Sequence, residues 1–205
     1  MTSPARKLRA LDRAPVALHD RAMDNLRYIR ETMERSASFT HVSGTGWVMM
    51  GLTALVASAI TWNGPDPTHW LLVWIVAAAI SVALAVYMMA RKSRADGMTL
   101  LTGPGRKFAW NVIPPFAAGA VLTLVFARAE LVPLLPGVWL MLYGTGVVTG
   151  GSHSVKPVPV MGVVFMLVGI VALLTPVAWG NHFMAGGFGG LHIVFGALIW
   201  RKHGG

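Results

Sequence analysis

The chain has 205 residues, of which 55% are hydrophobic and 12% charged, with a formal charge of +9 and a mean hydropathy of +0.60. A soluble domain of this length carries about 25% charged residues, so the composition points to a membrane protein and away from a soluble enzyme. There is no cysteine, which excludes disulfides, thiolate metal sites and cysteine nucleophiles. The positive charge does not indicate nucleic acid, because the basic residues flank apolar runs and suit anionic lipid instead.

The first segment, residues 1–40, is basic and contains no short apolar core of the kind a cleavable signal needs, so the first span is expected to act as the targeting element. Within it, Leu18, Ala22, Leu26, Ile29 and Met33 recur at spacings of three and four. That spacing predicts an amphipathic helix over about 15–36 on the cytoplasmic side. Its apolar face would lie on lipid headgroups or on the protein's own loops, or dock a protein partner.

Residues 41–205 read as a transmembrane domain. Six apolar runs are expected to span the membrane: 42–62, 70–90, 108–127, 131–148, 157–176 and 180–200. Each has about 18–21 residues, and a rise of about 1.5 Å per residue gives the roughly 30 Å of a hydrocarbon core. Backbone amides in lipid need internal partners, so the runs must be helices. The fold class is therefore an all-α polytopic bundle of six transmembrane helices, preceded by a cytoplasmic amphipathic helix.

Orientation follows from the basic residues. Eight lie before the first span, five (Arg91, Lys92, Arg94, Arg106 and Lys107) between the second and third, then come Lys156 and finally Arg201 and Lys202; the alternate loops hold only Arg128. This bias places both termini in the cytoplasm, and the seven cations at the ends of the second, third and last spans become topogenic or lipid-phosphate contacts. Trp62, Trp70 and Trp179 then fall at the outer interface, where an indole can keep its N–H wet.

Small residues recur every seventh position. The series are Gly44, Gly51, Ser58; Gly137, Gly144, Gly151; Gly162, Gly169; and Gly189, Gly196. Each forms a smooth stripe that lets helix backbones approach, with left-handed crossings near +20°. The stripes serve either as packing seams or as a breathing pathway. MGLTALVAS (50–58) aligns with MGVVFMLVG (161–169), and GVWLMLYG (137–144) with GGLHIVFG (189–196), which suggests three related helix hairpins.

His192 is the leading candidate for chemistry. It lies nine residues before Arg201, about 13 Å from the inner end and near the midplane. Ala185, Gly189 and Gly196 share its helical face and would admit a flat ligand, with the imidazole as axial ligand to a haem or chlorin metal. The simpler reading is a neutral histidine bonded to Tyr143, Thr145 or Ser58; a proton or substrate role is the third. His41, His69, His153, His182 and His203 lie at span ends or in loops, so a bis-histidine site is not expected. Asn111 precedes Pro114 and Pro115, where a kink is expected, and would satisfy the carbonyls that the prolines free or line a cavity.

The absences weigh as much. No Asp, Glu, Lys or Arg lies at the centre of any span, although ion-coupled carriers generally use one. Asp66 and Glu130 lie in outer loops and do not read as a catalytic pair. No HExxH, GxSxG or P-loop pattern exists, so no catalytic or metal residue is assigned. The run Leu101–Lys107 lacks Walker spacing and is expected to be a turn into the third span, with Arg106 and Lys107 near lipid phosphates.

NLRYIRETMERSASFT, LLTGPGRKFAW, LLPGVWLMLYGTGVVTGG, KPVPVMG and FGGLHIVFGALIWRKHGG together resemble a family of small uncharacterised bacterial inner-membrane proteins. The resemblance covers the chain from about residue 24 and implies six spans without an activity. The functional expectation is a non-enzymatic accessory or regulatory subunit. A small-solute transporter or channel with a midplane site near His192, and a haem- or chlorin-binding subunit, are the alternatives. The partners expected are the bilayer and a protein, or a second copy, met through the spans or the N-terminal helix.

Overall fold

The computed structural model describes residues 20–29, 32, 42–63, 66–95, 97, 103–152 and 154–203. The ends of the predicted amphipathic helix, His41, His153, Gly64–Pro65 and Leu101–Thr102 lie outside these residues. The chain divides into two units, Met1–Ala37 and Ser38–Gly205. In the first, residues 20–29 form a helix, α1, and every one of them is exposed. Met23, Leu26 and Ile29 are all more than half exposed. An exposed pair, Arg27 and Asp24 at 3.9 Å, lies on its surface.

The second unit is helical throughout, with no strand among the described residues. Its elements are α2 (Gly44–Ile60), α3 (Pro67–Ala95), α4 (Gly103–Arg128), α5 (Leu135–Gly151, entered through the 3-10 turn Val132–Leu134) and α6 (Pro157–Leu174). The last run is α7 (Gly180–Met184), a π-helix over Ala185–Leu191 and α8 (His192–His203). Five segments are long and apolar enough to cross a membrane: Pro67–Ala95, Gly105–Arg128, Val132–Gly151, Pro157–Leu174 and Val177–Lys202. Five such helices with so much exposed apolar surface make this a multi-pass membrane protein. The sixth, α2, has 17 residues, about 26 Å of helix, and is shorter than the predicted 42–62.

The other boundaries shift for identifiable reasons. Ser43 caps the start of α2, its Oγ accepting from the Gly46 amide at 3.1 Å. Asp66 caps α3 by accepting from the Thr68 and His69 amides at 3.0 and 3.1 Å, so this acid is structural. At its far end α3 runs past the predicted Ala90 to Ala95. The basic residues there end the apolar run without ending the backbone ladder, and Lys92 reaches back to donate to the Val42 carbonyl at 3.2 Å. Arg91, Arg94, Arg106, Lys107, Arg201 and Lys202 are exposed.

α4 runs unbroken through Pro114 and Pro115. Pro115 cannot donate to the Asn111 carbonyl, and Thr149 Oγ1 of α5 lies 3.0 Å from it, its one proton shared with its own-helix Thr145 carbonyl at 2.9 Å. The Asn111 side chain, expected to perform that repair, donates to the Lys107 carbonyl one turn earlier, at 2.9 Å. Sequence spacing put Asn111 beside the prolines but could not show that α5 supplies a hydroxyl at the same level.

The glycine stripes are packing seams, and they pair two by two. α2 lies antiparallel to α8 and α5 antiparallel to α6. A Cβ on Gly144 would lie 2.6 Å from the Gly162 carbonyl, and one on Gly162 would lie 2.7 Å from that of Gly144. Gly137 and Gly169 face each other in the same way, as do Gly51 with Gly189 and Gly44 with Gly196. The two pairs therefore share one design. The equivalence is offset by one heptad from the sequence alignment, since Gly51 plays the part of Gly169 and not of Gly162. α3 leans on α2 and α4 on α5, and both bury little.

Candidate functional site

The seams bring four elements to one buried point. His192, 1% exposed, begins α8. Its Nδ1 lies 2.8 Å from the Phe188 carbonyl, which can only accept, so Nδ1 carries a proton. Nε2 lies 2.5 Å from Tyr143 Oη on α5 and, in the neutral ring, accepts the phenolic proton. Of the three partners the sequence offered, Tyr143 is the one used. Thr145 donates to its own Met141 carbonyl at 2.9 Å, and Ser58 lies at the other end of the last span.

Aromatic rings close around this dyad. Trp47 of α2 and Phe165 of α6 meet the imidazole edge-on at 5.9 and 5.3 Å, and Phe188 stacks on it at 15°. Such ring pairs contribute about 0.5–1.5 kcal/mol each beyond the area they bury. Phe188 precedes His192 by four residues, so one helical face presents both rings. That signal was readable; the positions of Trp47 and Phe165 on other helices were not.

A second polar cluster lies at the opposite end of the last span. Asn181 Oδ1 accepts from Trp70 Nε1 at 2.8 Å and its Nδ2 donates to the Thr61 carbonyl at 2.8 Å, while Thr61 Oγ1, 3.3 Å from Oδ1, has its shorter bond to the Ala57 carbonyl at 2.9 Å. Ser58 Oγ donates to the Asn181 carbonyl at 3.5 Å. Ser58 thus continues the α2 stripe as a hydrogen-bond donor. Trp70 also stacks on Trp139, whose indole donates to Thr123 Oγ1 at 2.8 Å. Asn181 was not singled out from the sequence because it sits one residue inside an apolar run. Beside this cluster the buried Trp74 Nε1 has no hydrogen-bond partner among the described residues.

The geometry can be tested against a haem or chlorin. Both His192 nitrogens are already engaged, leaving no lone pair for an axial metal. The smooth face expected to admit a macrocycle is filled by α2, with Gly189 against Leu55 and Gly196 against Val48 and Trp47. The residues do not fit such a group in this arrangement. Among the described residues no three His, Asp or Glu side chains converge on a metal position. Two open, mostly apolar grooves of about 360 and 410 Å³ lie along α2, and His192 lines neither of them. No family model matches the chain, and no curated protein and no solved structure matches it.

Proposed function

We propose that the chain is a non-enzymatic, six-span protein of the bacterial inner membrane, with both termini cytoplasmic, acting as an accessory or regulatory subunit of a membrane complex. The observation that carries this reading is the closed interior. The His192 imidazole, the one buried among the described residues, is bonded on both nitrogens, ringed by aromatic side chains and reached by neither groove. Conduction needs a wet path and catalysis a free polar group, and the bonded, ring-enclosed His192–Tyr143 pair offers neither. The distribution of basic residues supports the orientation, and α2 completes the sixth crossing with the residues that flank it.

The glycine stripes, first candidates for a partner's surface, are consumed inside the bundle. The exposed apolar side of α1, carrying Met23, Leu26 and Ile29, is the surface left for a cytoplasmic partner. The test is gentle detergent extraction, cross-linking and mass spectrometry of the intact chain and of Leu26→Glu/Ile29→Glu. A stoichiometric partner present with the parent and lost with the variant supports the reading. A monomer from both, with the same yield, refutes it.

A further inference from the structure

The least ordinary stretch of the fold is the π-helix Ala185–Leu191, AGGFGGL. π geometry normally appears as a single turn and concentrates at functional sites. Seven residues of it, four of them glycine, call for a cause. One lies in what flanks it. On the outer side Asn181 is held by Trp70, Thr61 and Ser58. On the inner side His192 is held by Tyr143. Both anchors reach other helices, so the residues between them must fit a fixed span and a fixed rotation.

A ring closed from residue i to i+5 holds one residue more than a ring closed from i to i+4. One surplus residue corresponds to about 100° of α-helical rotation. Were Ala185–Leu191 α-helical at its present length, Asn181 and His192 would be about 100° out of mutual register, and one of the two anchors would break. We propose that the π-helix is a held register: it is maintained by the two anchors together, and releasing either one returns the segment to α-helix. The surplus residue has somewhere to go, because nothing lies within 4 Å of a Cβ on Gly186. Glycine also weakens the preference for α geometry that a run of ordinary residues would impose.

The arrangement couples two places in the membrane. Anything that draws Asn181 away from Thr61 and Trp70 at one end allows the halves of the last span to counter-rotate, carrying Phe188 with its ring and carbonyl away from His192. A subunit with a regulatory task would gain a transmitter from it, although the inference stands whether or not the chain has a protein partner. The competing cause is local packing, since Gly187 meets Leu140 and Gly189 meets Leu55.

The experiment uses the full chain in lipid bilayers, labelled with [13C]glycine and [15N], and reads the i→i+5 or i→i+4 carbonyl–amide pairing over 185–192 by solid-state NMR. The parent should show i→i+5 pairing. Asn181→Ala should show i→i+4 pairing with the Tyr143–His192 bond retained, and Tyr143→Phe should show i→i+4 pairing with the Trp70–Asn181 bond retained. Deletion of Gly186 should show i→i+4 pairing with both bonds retained. If either point variant keeps i→i+5 pairing, the two anchors do not hold the register together and the proposal is wrong; if both keep it, packing of Gly187 and Gly189 sets the register. It is equally wrong if the folded deletion variant loses either bond, because the deleted residue was then not surplus. Should the deletion fail to fold, the point variants alone decide.

Discussion

The seam between α5 and α6 predicts a specific penalty for the smallest possible side chain. In Gly144→Ala the new methyl would lie 2.6 Å from the Gly162 carbonyl oxygen, 2.7 Å from Met166 Cγ and 2.8 Å from the Met166 amide nitrogen. Ordinary contact begins near 3.4 Å, and two of the three obstacles are bound to backbone position or chain direction, so the helices must separate by roughly 0.8 Å. A gap of about 0.5–1 Å forfeits about a quarter to a half of each dispersion contact it opens. Lipid offers no hydrophobic drive to restore the loss. Gly137–Gly169, on the same seam, opens with it. The expected cost is about 1–3 kcal/mol. Gly119→Ala is the control: its nearest neighbour is Leu142 Cδ1 at 3.6 Å, an ordinary contact, and stability should stay within about 0.5 kcal/mol or rise. The double variant Gly144→Ala/Gly162→Ala should cost less than the sum of its parts, because one separation relieves both clashes. Reversible unfolding in mixed micelles measures these three variants together with the single Gly162→Ala. Equal stability of Gly144→Ala and Gly119→Ala, or strict additivity across the seam, refutes the argument.

Tyr143→Phe leaves His192 Nε2 buried without a partner, and a double-mutant cycle with His192→Phe should give a coupling of about 0.6 kcal/mol, the average for hydrogen bonds between membrane helices, and no more than about 1.7, their maximum. A coupling near zero would remove the dyad from the structural account. Thr149→Val removes the hydroxyl that covers the Asn111 carbonyl and should destabilise the chain by a similar amount, whereas Asn111→Leu, whose amide bonds only within its own helix, should cost less. Trp74→Phe removes an indole N–H that has no partner, so it should be better tolerated than Trp70→Phe, which deprives Asn181 of its donor. Because the chain has no cysteine, single cysteines at Asn63 and Arg94 report topology directly. A membrane-impermeant thiol reagent added outside intact cells should label the first and not the second; the reverse pattern inverts the orientation.

The parts of this fold that sequence disclosed are those set by composition along one helix. Apolar length identified five of the six expected spans, and the sevenfold spacing of Gly51, Gly144, Gly162 and Gly196 identified the faces on which helices approach. What spacing cannot carry is which stripe meets which. A smooth face says only that its neighbour comes close, and Gly51 suits the Gly162 alignment as well as the Gly169 role it occupies. The same limit applied to Asn111, whose task fell to a threonine 38 residues away. His192 was found because a lone polar side chain in an apolar run stands out, and its partner was among three named because only a few hydroxyls lie at its depth. The π-helix left no trace of its own. α and π geometry differ by one residue in the bonding pattern and not in residue chemistry, so glycine permits the change without announcing it. The choice was made at the two ends of the segment, by Asn181 and His192 reaching for Trp70 and Tyr143, and those are contacts between residues more than forty positions apart. The local conformation least legible in the sequence is thus the one with the most distant cause, as expected where tertiary hydrogen bonds in lipid outweigh a weak local preference.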